Sequence, residues 1–100
     1  MNPATDEILD YKKISWTLYN ARKKAGVVKF SYGDGFIWIE FNDGRIYLYT
    51  EKVSGIDAIN RMKQLAEQGE KLSTFINQND KVRDNYVTRY AWRDGAFRKF

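Results

Sequence analysis

The stretch "FIWIEFNDGRIYLYT", Phe36–Thr50, contains two runs in which apolar and other side chains alternate, on either side of Asp43-Gly44. Alternation with period two is typical of a β-strand with one buried face. Asp-Gly between two such runs is a strong short-range signal for a tight hairpin. We therefore predict a β-hairpin, in which Ile37, Ile39 and Phe41 share one face of the first strand.

The register of this hairpin decides which face its two tyrosines occupy. A two-residue turn at Asp43-Gly44 places Tyr47 opposite Glu40 and Tyr49 opposite Trp38. Both tyrosines then lie away from the isoleucine face, and Ile46 and Leu48 join the isoleucines as core. A shift of one residue in the turn would reverse this assignment.

The surrounding sequence extends the hairpin into an α+β fold. The run "VVKFSY", Val27–Tyr32, and the Gly-rich connector after it indicate a three-stranded antiparallel meander. A helix capped by Ser54 and ended by Gly69 follows, with Asp57 as the acid of a capping box. Its apolar stripe is expected to cover the sheet, and a short second helical segment is expected over residues 70–79. The stripe consists of Ile56, Ile59, Met62 (or Lys63), Leu65 and Ala66.

The two ends of the chain are predicted separately. Capping and charge signals favour an N-terminal helix from Asp6 to Lys24, although the alternation in "ISWTLY", Ile14–Tyr19, also suits a strand. At the other end, Asp94-Gly95 indicates a turn between two aromatic runs. Residues 86–100 therefore form either a terminal hairpin or a partly ordered basic tail.

Composition limits the classes of protein that this chain can belong to. Its 100 residues make one small domain, and it contains neither cysteine nor histidine. The commonest general base, the commonest transition-metal ligand and thiolate chemistry are therefore all missing. No apolar run approaches the roughly 20 residues of a membrane span, and the acidic N-terminus is unlike a signal peptide. We expect a cytoplasmic protein that has no membrane partner.

No motif in the chain indicates catalysis. Glu40 and Glu51 are the carboxylates nearest the aromatic sheet, and a pair of carboxylates can hydrolyse glycosides. A simpler interpretation is that both are ordinary polar residues, Glu40 on a strand face and Glu51 at a strand end. Asp80 and Asp84 lack the run of oxygen ligands that a hard cation needs, so we expect both to be solvated. We predict no enzyme activity, no catalytic residues, no metal and no cofactor.

Basic and aromatic residues interleave at the C-terminal end. The net charge is +4, and residues 81–100 carry six basic side chains against two acidic ones. From Tyr86 to Phe100 aromatic residues alternate with arginines, an arrangement that can stack bases and contact phosphates. The alternative is an ordinary amphipathic hairpin with its arginines in water, and such a basic face can still bind phosphate.

The order of these features resembles the KTSC domain, a small domain found at the C-terminus of some lysyl-tRNA synthetases and alone in bacterial proteins. The resemblance covers about residues 27–86 and depends on Tyr47-Leu48-Tyr49 after Gly44, followed by Phe75, Asn77 and Arg83. Residues 1–26 and the basic aromatic tail at 87–100 lie outside it. RNA binding has been proposed for that family, so the resemblance implies an RNA partner.

We predict a non-enzymatic module that binds nucleic acid, RNA before DNA. The alternative is a protein-interaction module, such as a small phage or mobile-element inhibitor that docks on a protein or nucleoprotein, or a domain that self-associates as a homo-oligomer. Exposed aromatic and arginine side chains would serve either partner. The predicted contact residues are Trp38, Arg45, Tyr47, Tyr49, Arg83, Arg89, Tyr90, Trp92, Arg93, Arg98 and Lys99.

Overall fold

In the part of the chain that the structure describes, six antiparallel strands form one sheet, and they lie in it in the order of the sequence. The computed structural model describes residues 9–20 and 26–100. The strands are β1 (Thr17–Leu18), β2 (Val27–Gly33), β3 (Phe36–Phe41), β4 (Ile46–Thr50), β5 (Thr88–Arg93) and β6 (Ala96–Lys99). The α+β class is confirmed. The predicted three-stranded meander corresponds to β2–β4, which is the centre of a larger sheet rather than the whole of it.

Four helices follow β4 in the chain. They are α1 (Glu51–Ser54), α2 (Ile56–Gln68), α3 (Leu72–Gln78) and α4 (Asp80–Arg83). Ile59, Met62, Leu65 and Ala66 of the predicted stripe are buried, whereas Ile56 is exposed. These side chains pack with Ile37 and Ile39 in the main core, so the helices cover one face of the sheet, which we call the inner face. No helix formed by the described residues is both long and apolar enough to cross a membrane.

The start of the long helix differs from the prediction. Ser54 does not cap α2; it is the last residue of α1, it is buried, and its Oγ donates to the carbonyl of Asn85 at 2.7 Å. Gly55, with a φ of +93°, separates the two helices. Ser54 therefore ties the helical layer to the segment that leads into β5. Gly69 ends α2 in the left-handed conformation, as predicted.

The β3–β4 turn has one residue more than the prediction assumed. The N–H of Gly44 donates to the carbonyl of Phe41 at 3.0 Å, and the N–H of Phe41 donates to the carbonyl of Arg45 at 2.8 Å. The loop is therefore Asn42–Gly44, a three-residue hairpin connection that ends in a glycine with positive φ.

This extra residue reverses the faces of β4. Tyr47 pairs with Ile39 and Tyr49 with Ile37, so both tyrosines lie on the inner face. The prediction that they face away from the isoleucines is wrong, and so is the assignment of Ile46 and Leu48 to the isoleucine side. Ile46 and Leu48 lie on the opposite, outer face, where Ile46 is fully buried.

The N-terminal segment is not the predicted helix within the described residues. It forms a 3-10 turn at Tyr11–Lys13 and then β1, as the alternative interpretation of "ISWTLY" suggested. The N–H of Leu9 donates to the carbonyl of Phe97 on β6, and the N–H of Tyr19 donates to the carbonyl of Val28 on β2. Pairing with both edges of the sheet overrides the local helix signals. The predicted helix ends, residues 6–8 and 21–24, lie outside the described residues.

Residues 9–16 therefore cross the outer face of the sheet, and we call them the strap. The ring of Tyr11 stacks on Phe97 with centroids 4.7 Å apart, and its hydroxyl donates to Glu40 Oε1 at 2.7 Å. Lys29 Nζ lies 4.9 Å from the centroid of the same ring. The sheet is thus covered by helices on its inner face and by the strap on its outer face.

The predicted terminal hairpin is present. Arg93 pairs with Ala96, and Asp94 and Gly95 both have positive φ. Two positive φ values in a two-residue connection define a type I′ turn, which Asp-Gly favours. Residues 88–99 consequently extend the sheet beyond β4 instead of forming a loose tail.

Candidate nucleic-acid interface

Tyr49 and Tyr47 have different surroundings although they share a face. Tyr49 is only 1% exposed and belongs to the main core, whereas Tyr47 is half-buried at its margin. Burial raises the pKa of the Tyr49 hydroxyl, and the neighbouring Tyr47 and Tyr86 raise it further. Tyr49 is therefore a neutral core side chain at physiological pH, and Tyr47 is the member of the pair that a ligand can reach.

Tyr47 forms one wall of a cleft on the inner side of the sheet. The ring of Tyr86 meets it edge-on, with centroids 4.9 Å apart and planes at 84°. The cleft has a volume of about 400 Å³ and lies between the Asn42–Gly44 turn, α3 and residues 83–89. We call it the tyrosine cleft. Tyr47, Tyr86, Asn42, Asn77, Arg83 and Arg89 are among the residues that line it.

Arg83, a predicted contact, lines this cleft but already has partners. Its guanidinium lies 3.0 Å from Asp80 and 3.5 Å from Asp84, and it donates to the carbonyl of Asn77 at 3.2 Å. Both aspartates are exposed, and exposed ion pairs add little to stability. Their effect is to fix the direction of the Arg83 side chain at the rim of the cleft.

Three arginines converge on the ring of Phe100 beside the cleft. The guanidinium carbons of Arg89, Arg45 and Arg93 lie 4.4, 5.1 and 5.7 Å from its centroid. Arg89 also lies 5.2 Å from the Tyr86 ring, and its Nε donates to the carbonyl of Phe100 at 3.4 Å. We call Arg45, Arg89, Arg93 and Phe100 the arginine–Phe100 cluster. Arg89 belongs to both the cluster and the cleft.

Among the described residues, only one arginine of this cluster forms an ion pair with a side-chain carboxylate. Arg45 lies 3.8 Å from Asp43 in an exposed pair. Within residues 9–20 and 26–100, no side-chain carboxylate forms an ion pair with Arg89 or Arg93. Like charges held around one ring favour an anionic ligand, and cation–π contacts keep the guanidinium planes in place.

Of the other five predicted contacts, four lie on the outer face, and the fifth, Arg98, lies on the inner side. Trp38, Tyr90 and Trp92 lie on the outer face, where Tyr90 is buried and Trp92 is 60% exposed. Lys99 pairs with Tyr90 and is exposed on the same side. Arg98 lies opposite Ala91 with its Nε buried, and no described residue accepts a hydrogen bond from that nitrogen. The predicted contact set is therefore divided between two faces.

Tyr86 and Phe100 are functional candidates that the predicted set omits. Both belong to the interleaved C-terminal stretch, but only the three-dimensional arrangement shows them under the arginines. The sequence did contain a signal for them. The alternation along β5 puts Arg89 and Arg93 on one side of the strand, and the pairing of β6 with β5 then brings Phe100 to that side. The N–H of Phe100 donates to the carbonyl of Arg89, which places the Phe100 ring on that same side.

The carboxylates considered for catalysis do not form a pair. Glu40 pairs with Ile46 near one end of the β3–β4 hairpin, and Glu51 follows Thr50, the partner of Phe36, at the other end. Phe36 and Glu40 are four residue steps apart along the strand, a distance of about 13 Å. Paired catalytic carboxylates of glycosidases are about 5–9.5 Å apart. Glu40 instead accepts the hydrogen bond of Tyr11.

Comparison with known proteins finds no matching family model, no matching curated protein and no matching solved structure. The resemblance to the KTSC domain therefore stays a prediction. Four of the residues on which it depends, Tyr47, Tyr49, Asn77 and Arg83, line the tyrosine cleft. Phe75, another of them, is half-buried against the main core.

Proposed function

We propose that this chain is a non-enzymatic module that binds single-stranded nucleic acid, RNA before DNA, through the arginine–Phe100 cluster and the tyrosine cleft. The observation that carries the proposal is the convergence of three guanidinium groups within 4.4–5.7 Å of one aromatic ring. The preference for RNA over DNA rests on the resemblance to the KTSC domain.

Guanidinium groups beside half-buried aromatic rings suit the two parts of a nucleotide. The planar fork of arginine donates to phosphate oxygens, and aromatic rings accept the faces of unpaired bases. Arg45 comes from the β3–β4 hairpin, and Arg89 and Arg93 come from β5. Because separate contacts already hold the three arginine side chains in place, they lose less conformational entropy on binding than three free side chains would.

Salt dependence of RNA binding tests this function. We expect a fluorescein-labelled RNA strand to bind in an anisotropy titration, with log affinity falling against log salt at a slope of about −2, about 0.7 for each of three phosphates. The double variant Arg89→Gln/Arg93→Gln should reduce the magnitude of that slope by about 1.4 and weaken binding at low salt.

The matched control is Lys52→Gln/Arg61→Gln, which removes the same charge from exposed positions on α1 and α2. We expect it to bind nearly as the wild type does. Equal losses in both double variants would mean that net charge alone, and not the cluster, attracts RNA. An absence of binding at low salt would overturn the proposed function.

A protein partner is the second candidate, and the outer face provides the observation that favours it. Trp92 is 60% exposed and Leu18 is 72% exposed there, and tryptophan is among the residues that dominate interface energies. If this face binds a second copy of the chain, gel filtration should show a dimer that Trp92→Ser dissociates. A monomer at all concentrations would exclude self-association.

A further inference from the structure

The tyrosine cleft adjoins the arginine–Phe100 cluster but differs from it in chemistry. The cluster presents cations around one ring. The cleft is lined by Arg83 and Arg89 as well, and it adds two tyrosine rings and two amides. These belong to Tyr47, Tyr86, Asn42 and Asn77. Its volume of about 400 Å³ falls within the range of about 300–1,000 Å³ for small-molecule sites. A ligand that suits both regions must have a charged part and an adjacent flat, hydrogen-bonding part.

The polar groups of the cleft can both donate and accept hydrogen bonds. The side chains of Asn42 and Asn77 are exposed, and no described residue is hydrogen-bonded to either amide. An amide offers one acceptor oxygen and two N–H donors, which is the complement of a nucleobase edge. Asp84, at the rim, offers further acceptors although one of its oxygens lies 3.5 Å from Arg83.

The aromatic wall is preformed. Tyr47 is fixed by edge contacts with Phe41 at 5.3 Å and with Tyr86 at 4.9 Å, and its ring is nearly parallel to that of Tyr49. Arg89 lies over Tyr86 and over Phe100, so the wall and the cationic cluster share one side chain. A phosphate at Arg89 would therefore be next to the mouth of the cleft.

We propose that the tyrosine cleft receives one unstacked base of the bound strand, so that the interface reads a base as well as phosphates. The inference rests on the proposed function and specifies its ligand as unpaired RNA, since a base within a duplex cannot leave its partner without a cost. Asn42 and Asn77 contact the edge of the base, and Tyr47 and Tyr86 contact its surface.

The test compares two oligomers of equal length and charge. One is an RNA strand, and the other carries tetrahydrofuran abasic units in place of every nucleoside. We expect wild-type protein to bind the intact strand roughly tenfold more tightly, because a stacked base contributes on that order, while the two salt slopes stay equal. The double variant Asn42→Ala/Asn77→Ala should reduce this ratio severalfold, and Asn60→Ala on the exposed side of α2 should not.

The outcomes separate the two claims. Equal affinity for both oligomers, with a normal salt slope, would overturn the base pocket and leave phosphate binding intact. A tenfold ratio that survives in Asn42→Ala/Asn77→Ala would also overturn it, because the base would then be bound elsewhere. Circular dichroism of the variant should show a folded chain, and if it does not, the single variant Asn77→Ala, at an exposed position, gives the same test without a change of charge. Failure of both oligomers to bind would overturn the proposed function itself.

Discussion

At the residue scale, Gly44 permits the turn that places the two tyrosines on the inner face. Its φ of +86° closes a three-residue connection, and that extra residue turns Tyr47 and Tyr49 toward the inner face. A Cβ at this position would meet no atom within 4 Å. The cost of a side chain here is therefore a backbone cost, not a steric clash with the rest of the molecule.

Replacing Gly44 measures that cost. We expect Gly44→Ala to lower the free energy of unfolding by about 1–2 kcal/mol, because L residues are strained at left-handed φ. Gly44→Asn should cost clearly less, since asparagine tolerates this region. Urea denaturation of both variants measures the two losses in free energy of unfolding. Equal losses would indicate that something other than the backbone conformation of the turn is responsible.

Because the hydroxyl of Tyr49 is buried, we expect the folded protein to lose stability at alkaline pH. Burial raises the pKa of its hydroxyl above the ordinary value of 10.0. Above pH 10.0 the unfolded chain releases this proton while the folded chain retains it, so the unfolded state binds fewer protons and stability falls as pH rises. Below pH 10.0 the contribution is fully present.

The measurement is the slope of unfolding free energy against pH above that value. We expect wild-type protein to lose stability more steeply than Tyr49→Phe, which has no proton to release there. Parallel slopes would show that Tyr49 is not responsible. The pKa of Tyr11, raised chiefly by burial, and that of Tyr32, raised chiefly by its hydrogen bond to Glu67, leave a residual slope in the variant.

The three Asp-Gly pairs show what a short motif can predict. Asp43-Gly44 and Asp94-Gly95 were expected at turns, and Asp34-Gly35 belongs to the Gly-rich connector expected after Tyr32. Each of the three lies at a turn. Asp34-Gly35 and Asp94-Gly95 are two-residue connections, whereas Asp43-Gly44 is part of three. The dipeptide permits positive φ in either geometry, so it predicts the hairpin without predicting the register. Packing of the tyrosines against the helices selects the register.

At the element scale, the strap is the part of the fold that the sequence described least well. Helix caps and charges at both ends favoured a helix, and these are local signals. The competing contacts join residues far apart in the chain: Tyr11 meets Glu40 and Phe97, and Leu9 meets β6. By contrast, the body and the C-terminal end of α2 were predicted well, because most of its apolar stripe is buried and Gly69 ends it, whereas its start was not.

The strap gives a prediction about stability. Tyr11→Phe keeps the stacking on Phe97 but removes the hydrogen bond to Glu40, so we expect a loss of about 1 kcal/mol. Tyr11→Ala removes both and should cost about 2 kcal/mol or more. Lys12→Ala, an exposed neighbour, serves as the control. If Tyr11→Ala unfolds at the same urea concentration as the control, the strap does not hold the outer face.

At the scale of the whole molecule, the two faces of the sheet have separate properties. The inner side carries the arginine–Phe100 cluster and the tyrosine cleft, and the outer side carries the strap and the exposed Trp92. Composition and interleaving predicted a basic, aromatic surface. They could not show which arginines converge, because Arg45 reaches Phe100 only through the pairing of β4 with β5 and of β5 with β6.

The most direct test of the RNA-binding interface is an amide and side-chain NMR titration with a single-stranded RNA at low salt. We predict that the backbone signals of Tyr86 and Phe100 and the Nε–H signals of Arg89 and Arg93 shift first. The indole signals of Trp38 and Trp92 report on the outer face and should stay in place. Shifts confined to those indoles, or no shifts at all, would contradict the account.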